Sequence, residues 1–196
     1  MLPKEDFMDK KTDRRIRKTK KQLQDGFIEL RKTKSTKDIT IKELCELKDL
    51  NRGTFYLHYK DIYDLSEQLE DEMLLSFEEV LNSHSTDELS GPEPLICDLF
   101  KLIKENGDFC ASLLSDTGQI AFFNKLKAVI RDTCFKHWVI LFNSNKVDKF
   151  NYFYDFILYG CIGIVESWLH NGFKESPEEM AALVSEIIMT GIKFLE

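Results

Sequence analysis

The sequence has no apolar run long enough to cross a bilayer. The longest, Phe156 to Val165, is 10 residues between Asp155 and Glu166, against the roughly 20 that a spanning helix needs. It also lacks a secretory opening, because MLPKEDFMDKK is charged from Lys4 onward and holds no apolar segment. A cytoplasmic chain with no membrane partner is therefore expected. The five cysteines, Cys45, Cys97, Cys110, Cys134 and Cys161, have no paired spacing. They fit buried thiols in a reducing compartment better than a disulfide framework. There is no phosphate loop, dinucleotide fingerprint, HExxH or nucleophile elbow. Neither an enzyme nor a cofactor is expected. Internal repeats and low-complexity segments are missing too, and strand-like alternation survives nowhere. Apolar residues recur every three to four positions along the chain, which predicts an all-α fold of about nine helices.

Charge is what the chain does have, unevenly distributed. Residues 1–60 hold 17 Lys/Arg against 10 Asp/Glu, a net of +7, and the remainder holds 10 against 24, a net of −14. An acidic protein can bind a polyanion when its basic residues are grouped. The densest group is Arg14, Arg15, Arg17, Lys18, Lys20 and Lys21. This run is expected to open the first helix, so that Arg14 and Arg15 reach a minor groove or flanking phosphates. By itself such a run is also compatible with a solvated helix face.

The segment Thr40 to Leu65, TIKELCELKDLNRGTFYLHYKDIYDL, is the most specific. Thr40 with Glu43 makes a capping box, so a helix starts at Ile41 with Ile41, Leu44 and Cys45 on its inner face. Asp49 and Asn51 favour a turn after Lys48, and Asn51 can cap the next helix. Phe55 and Tyr59, four residues apart, anchor that second short helix to the core. Asp61 and Asp64 open a longer helix with negative charge at its positive end, and Leu65, Leu69, Met73, Phe77 and Leu81 continue its apolar stripe. That leaves Arg52, Gly53, Thr54, Tyr56 and His58 facing outward. Arg52, at the helix start, can pair bidentately with guanine. Gly53 allows close backbone approach. Thr54, Tyr56, His58 and Lys60 carry donors suited to phosphate oxygens.

Residues 14–65 resemble the DNA-binding domain of the TetR family of bacterial one-component regulators. The resemblance runs through Phe27 and Leu30, ITIKEL at 39–44 and NRGTFYLHYKD at 51–61. It implies that Thr40, Tyr56, His58 and Lys60 hold phosphates and that Arg52, Gly53 and Thr54 lie nearest the bases. Lys42, Asn51, Arg14 and Arg15 complete the DNA-binding set, while Phe55 and Tyr59 pack inward. Three positions depart from the family. Lys48 and Asp49 stand in the turn, where a small residue and Gly are usual. Ile62 stands where a phosphate-binding Lys is common, so Lys60 is expected to substitute for it. The expected organisation is a helix-turn-helix domain over 10–61 and an effector-binding and dimerisation domain over 62–196.

Beyond the fourth helix, SHSTDELSGPEP at 83–94 breaks the helical period. Leu95, Leu99, Leu102 and Ile103 mark a helix ended by Asn106-Gly107, and a short helix covers about 108–114. Ile120 through Leu141 define a long helix. From Phe150 to Leu169 apolar residues lie nearly all round, and Gly160 and Gly163 are costly there unless something approaches closely. Ser176-Pro177-Glu178-Glu179 opens the last helix, whose wide apolar face runs from Met180 to Leu195. Helices at 150–170 and 178–195 suit a self-complementary homodimer interface. The stretch at 159–180 looks like a TetR subgroup that includes regulators of dihydroxyacetone kinase operons and some metal-responsive regulators.

In that family the effector pocket lies among the middle helices. The resemblance therefore implies a small-molecule effector, apolar or aromatic, beside Phe100, Phe109, Phe123, Trp138 and Tyr159; ordinary core is the alternative for such aromatics. Cys134 and His137 are spaced for two soft metal ligands, but two ligands make no site and no metal is expected. The implied function is a repressor on a palindromic double-stranded operator, with an activator or metal-responsive regulator of the same fold as the alternative. The implied mechanism is mechanical: effector binding moves the helix at 62–82 and changes the spacing of two heads that must meet major grooves about 34–36 Å apart.

Overall fold

The computed structural model describes the backbone of residues 4–84, 91–115, 120–142 and 147–193, and the side chains of 14–84, 91–114, 122–135 and 150–190. Among these residues there are nine α-helices and no strand: α1 (Lys4–Arg31), α2 (Ile41–Leu47), α3 (Arg52–Tyr56), α4 (Ile62–Ser83), α5 (Glu93–Glu105), α6 (Gly107–Ser115), α7 (Ile120–Phe142), α8 (Val147–His170) and α9 (Pro177–Lys193). The chain divides into two compact units, a head of Met1–Asp71 and a second unit of Glu72–Glu196, so that α4 contributes to both.

In the head, α2 and α3 have seven and five residues, too few to persist alone in water. Caps and packing hold them. The Thr40 hydroxyl accepts from the Glu43 N–H at 3.2 Å and starts α2. Only half of the expected capping box forms, because the Glu43 carboxylate pairs with Lys34 instead of turning back. Asn51 Oδ1 accepts from the Gly53 N–H at 2.7 Å and starts α3. Asp61 Oδ1 accepts from the Asp64 N–H at 2.9 Å, and Asp64 Oδ2 from the Lys60 N–H at 2.8 Å, a reciprocal cap on α4. These hydrogen bonds hold the Asp64 carboxyl below the usual range, the Lys60 N–H first and then Gln68.

The head's core is Leu23, Phe27, Leu44, Cys45, Phe55, Tyr59, Ile62, Leu65 and Leu69, all buried. Each of its leucine, isoleucine and phenylalanine side chains contributes roughly 1.5–3 kcal/mol. Gly26 explains how α1 and α2 come together: a Cβ there would lie 2.7 Å from both Leu44 Cδ1 and Lys48 Cγ. Lys48 lays its stem over that glycine and pairs with Glu29 at 2.7 Å. Asp49 then takes φ +51°, the left-handed conformation that glycine most readily adopts.

α1 starts earlier than expected. The basic run at 14–21 lies inside this 28-residue helix rather than opening it, because residues 4–13 contain no Gly or Pro to interrupt it.

In the second unit, α5 packs chiefly along α9. Its main core cluster is Ile96, Phe100, Trp168, Met180, Ala181 and Val184. Trp168 is 1% exposed, sits edge-on to Phe100 and Phe173 at 5.2 and 4.8 Å, and donates from Nε1 to the Glu175 carbonyl at 3.1 Å. Gly107 serves this cluster as well as the helix break. A Cβ there would sit 2.5 Å from the Phe173 ring. A second cluster joins Phe150, Tyr154 and Leu158 of α8 to Ile130, Cys134 and Phe135 of α7. The Ser176–Glu179 capping box of α9 is complete in both directions, at 2.7 and 3.2 Å. No described helix is long and apolar enough to cross a membrane.

Candidate nucleic-acid interface

α3 holds its outward residues by what it buries. Phe55 and Tyr59 are 0% and 2% exposed, with ring centroids 5.7 Å apart. With those two fixed inward, a helical path turns the intervening positions out. Arg52, Gly53, Tyr56 and Lys60 are exposed, and Thr54 and His58 half-buried. Seven of the sequence-derived residues, Asn51, Arg52, Gly53, Thr54, Tyr56, His58 and Lys60, thus stand within one short capped segment.

Hydrogen-bond capacity remains where a polyanion needs it. The Thr40 hydroxyl uses an acceptor lone pair for its cap and keeps its proton to donate. Asn51 spends Oδ1 on its cap and keeps the Nδ2 donors. Lys42 is exposed, with Nζ 3.8 Å from Glu46 Oε1 one turn on, a surface pair of small consequence. Burial pushes the His58 imidazole below its usual pKa, and the Lys20 charge pushes it further. It is then neutral at neutral pH, with one N–H to donate.

Nothing in the sequence distinguishes Lys20 within the basic run, yet the fold draws it to this site. Its Nζ lies 5.6 Å from the Tyr59 ring centroid and 3.5 Å from Gln68 Oε1. Its position on α1 opposite Tyr59 is a tertiary fact that no local motif carries. Arg14 and Arg15 are exposed on the same helix, roughly 8–9 Å further toward its start. Ile62, the position at which the family often has Lys, is 6% exposed and belongs to the core, while Lys60 is exposed. Leu57 and Tyr63 also stand on the head, 80% and 61% exposed. The signal for Leu57 was available in the sequence, since it falls out of phase with the buried Phe55, Tyr59, Ile62 and Leu65.

Of the five aromatics expected at an effector pocket, four have described side chains. Phe100 lies against Trp168 in the α5–α9 core, and Phe109 is buried on α6. Phe123 is half-buried beside the buried Phe122. Tyr159 is 64% exposed, with Lys127 Nζ 5.5 Å from its ring centroid. The Trp138 side chain lies outside the described residues, as does that of His137. Cys134 packs against the Phe150–Tyr154 cluster, and burial pushes its thiol up to about 12, far from a ready thiolate ligand. Among the described residues no three His, Cys, Asp or Glu side chains are grouped to hold a metal ion.

α8 exposes an aromatic stripe, with Tyr152, Phe156 and Tyr159 at 81%, 72% and 64%. α9 exposes Leu183, Ile187 and Met189. Gly160 and Gly163 continue the α8 stripe, and a Cβ on either would meet nothing within 4 Å. Packing within one copy therefore does not call for these two mid-helix glycines, each costing about 1 kcal/mol relative to alanine.

Comparison with known proteins agrees with this architecture. No curated protein matches the chain in sequence at a significant level. Among solved structures, the dihydroxyacetone kinase operon activator DhaS is 16% identical with a TM-score of 0.63, covering 90% of this chain and 97% of its own. A TetR transcriptional regulator from Streptococcus agalactiae is 21% identical with a TM-score of 0.62, covering 90% and 97%. FadR from Bacillus subtilis, in complex with stearoyl-CoA, is 15% identical with a TM-score of 0.66, covering 87% and 97%. At these identities the likeness establishes the fold. The TetR-type family described as the transcriptional regulator C-terminal region matches residues 91–190, just over half of the 196-residue chain. With that match and this all-α fold, the protein belongs to the TetR family, whose members are transcriptional regulators and not enzymes.

Proposed function

We propose that the chain is a homodimeric repressor that binds a palindromic operator through two heads and leaves it when a small molecule enters the second unit. The observation that carries the DNA reading is the α3 segment. There Arg52, Gly53, Tyr56 and Lys60 are exposed around a fixed Phe55–Tyr59 anchor, within residues 1–60, whose net charge is +7. Thr40, Lys42, Asn51, Tyr56, His58, Lys60, Arg14 and Arg15 would neutralise or hydrogen-bond phosphates, and Arg52, Gly53 and Thr54 would face base edges. The working domain boundary is the start of α4, with 10–61 as the binding module and 62–196 as the effector and dimer module.

Dimerisation is supported by the exposed apolar faces of α8 and α9 and by the open glycines of the α8 stripe. Solvated Tyr152, Phe156 and Tyr159 in a row are unusual for a monomer, and a second copy would cover them with its own α8 and α9. An effector is supported by the aromatic content of α5 to α8 and by the stearoyl-CoA complex of the FadR neighbour. The pocket is assigned near Phe100, Phe109, Phe123, Trp138 and Tyr159. Its occupant must bind the two head spacings with different affinity, or it shifts nothing. The activator role named for DhaS keeps activation as the second reading.

The test is fluorescence anisotropy with a duplex from the gene's own upstream region across a salt series. Binding should weaken steeply as salt rises, since phosphate contacts release counterions. Binding that is absent or indifferent to salt would overturn the proposal.

A further inference from the structure

Leu57 is out of keeping with its surroundings. At 80% it is the most exposed large apolar side chain among the described residues of the head, yet Thr54, Tyr56, His58 and Lys60 around it in sequence all carry hydrogen-bond donors. It follows α3 with φ −71° and ψ −19°, still on a helical path, and its N–H donates to the Gly53 carbonyl at 3.3 Å. Residues four apart on such a path lie one above the other, so Leu57 and Gly53 share a face. A Cβ built on Gly53 would meet only Asn51 Oδ1, at 3.4 Å. That face therefore joins uncovered backbone to an uncovered isobutyl group, between Arg52 before it in the chain and Lys60 after it.

We propose that Leu57 reads the C5 methyl group of a thymine in the major groove, one in each half-site of the operator. The assignment rests on the DNA-binding reading above and adds a specificity determinant to it. Leucine has no donor or acceptor for a phosphate or for the polar edge of a base. The C5 methyl is the apolar group that a base pair presents in the major groove, and A·T pairs alone carry it. Contact there takes apolar surface of both partners out of water. Gly53, one turn earlier on the same face, leaves room for the base edge to come close.

The test uses the full chain and a duplex selected from a random-sequence pool. Each thymine of that duplex is replaced in turn by deoxyuridine, which removes the methyl group and changes nothing else on the base edge. One thymine per half-site should respond. Its replacement should weaken wild-type binding about fourfold, and roughly fifteenfold when both half-sites are changed. Leu57→Ala should bind the thymine and deoxyuridine duplexes alike, with an unchanged melting temperature because the side chain is exposed. Leu57→Met should retain the discrimination. If wild-type protein binds with steep salt dependence but no thymine effect vanishes in Leu57→Ala, the Leu57 assignment is overturned and the regulator reading stands. If Leu57→Ala instead weakens dimerisation without such coupling, the leucine serves a protein contact and the assignment likewise fails. If no duplex is bound in a salt-sensitive way, the regulator reading falls, and this one with it.

Discussion

The head and the second unit expose opposite chemistries. On the head, the α3 segment turns a small anchor inward and leaves donors and cations in water. On the second unit, α8 and α9 bury a core and leave aromatic and aliphatic side chains in water. The difference fits the two proposed uses. Arginine and lysine are well solvated alone and strengthened by a polyanion. Tyr152, Phe156 and Ile187 are poorly solvated alone and strengthened by another apolar face.

If the two surfaces have these separate roles, substitutions should separate them. The largest effect is expected from Phe55→Ala. Removing this fully buried anchor should cost the head about 3–5 kcal/mol and abolish DNA binding. Light scattering should still report a dimer, and a monomer would mean that the two surfaces are not independent. The converse substitution is Gly160→Leu combined with Gly163→Leu. Nothing within one copy opposes the new side chains, so helicity should be kept while dimer dissociation rises by at least roughly 100-fold, an overpacking cost of about 3 kcal/mol. Sedimentation equilibrium would read it, and an unchanged dimer would move the interface elsewhere.

Within the head, Arg52→Ala should cost about 1–3 kcal/mol on the preferred duplex and relax the choice of sequence. Tyr56→Phe should weaken all duplexes alike by about 1 kcal/mol. Competition between specific and random duplexes distinguishes them, and uniform loss in both would make Arg52 a phosphate contact. Asp49→Gly should raise head stability by about 0.5–1 kcal/mol, because glycine relieves the positive φ, and should improve DNA affinity slightly by removing a negative charge. Calorimetry and anisotropy read the two effects. The smallest effect concerns His58, whose lowered pKa means that the unfolded chain takes up a proton first. Stability should fall as pH drops from 6.5 through the lowered pKa, and His58→Gln should flatten that slope. DNA affinity should rise over the same window, because phosphate favours the charged ring.

The anchor, caps and phase of the head could be read from the chain because they are local. Thr40, Asn51 and Asp61 act on residues two or three positions away, and Phe55 and Tyr59 share a face by spacing alone. Leu57 was readable in the same way, as a position out of phase with that face. Glu43 departs from its local reading, since its partner Lys34 lies nine residues back and outcompetes the cap. The start of α1 lies ahead of the basic run that resembles an arm, because nothing before that run breaks a helix. The effector aromatics were the least readable. Spacing gives a helix face but not what that face meets, and Phe100 and Tyr159 look alike in sequence while one is 4% and the other 64% exposed.

By itself the sequence determined the all-α class, the capped starts of α2 and α9, and the capped α3 with its outward donors. Backbone hydrogen bonds, caps and helical phase act within one or two turns, so nearby residues suffice to set them. Tertiary structure alone decided that Gly26 makes room for Leu44 and Lys48, and that Lys20 comes to lie over Tyr59. It alone placed Phe173 on Gly107 and left the α8 glycines open to solvent. These depend on contacts between residues far apart in the chain, where close packing, rather than local preference, selects which side chains meet.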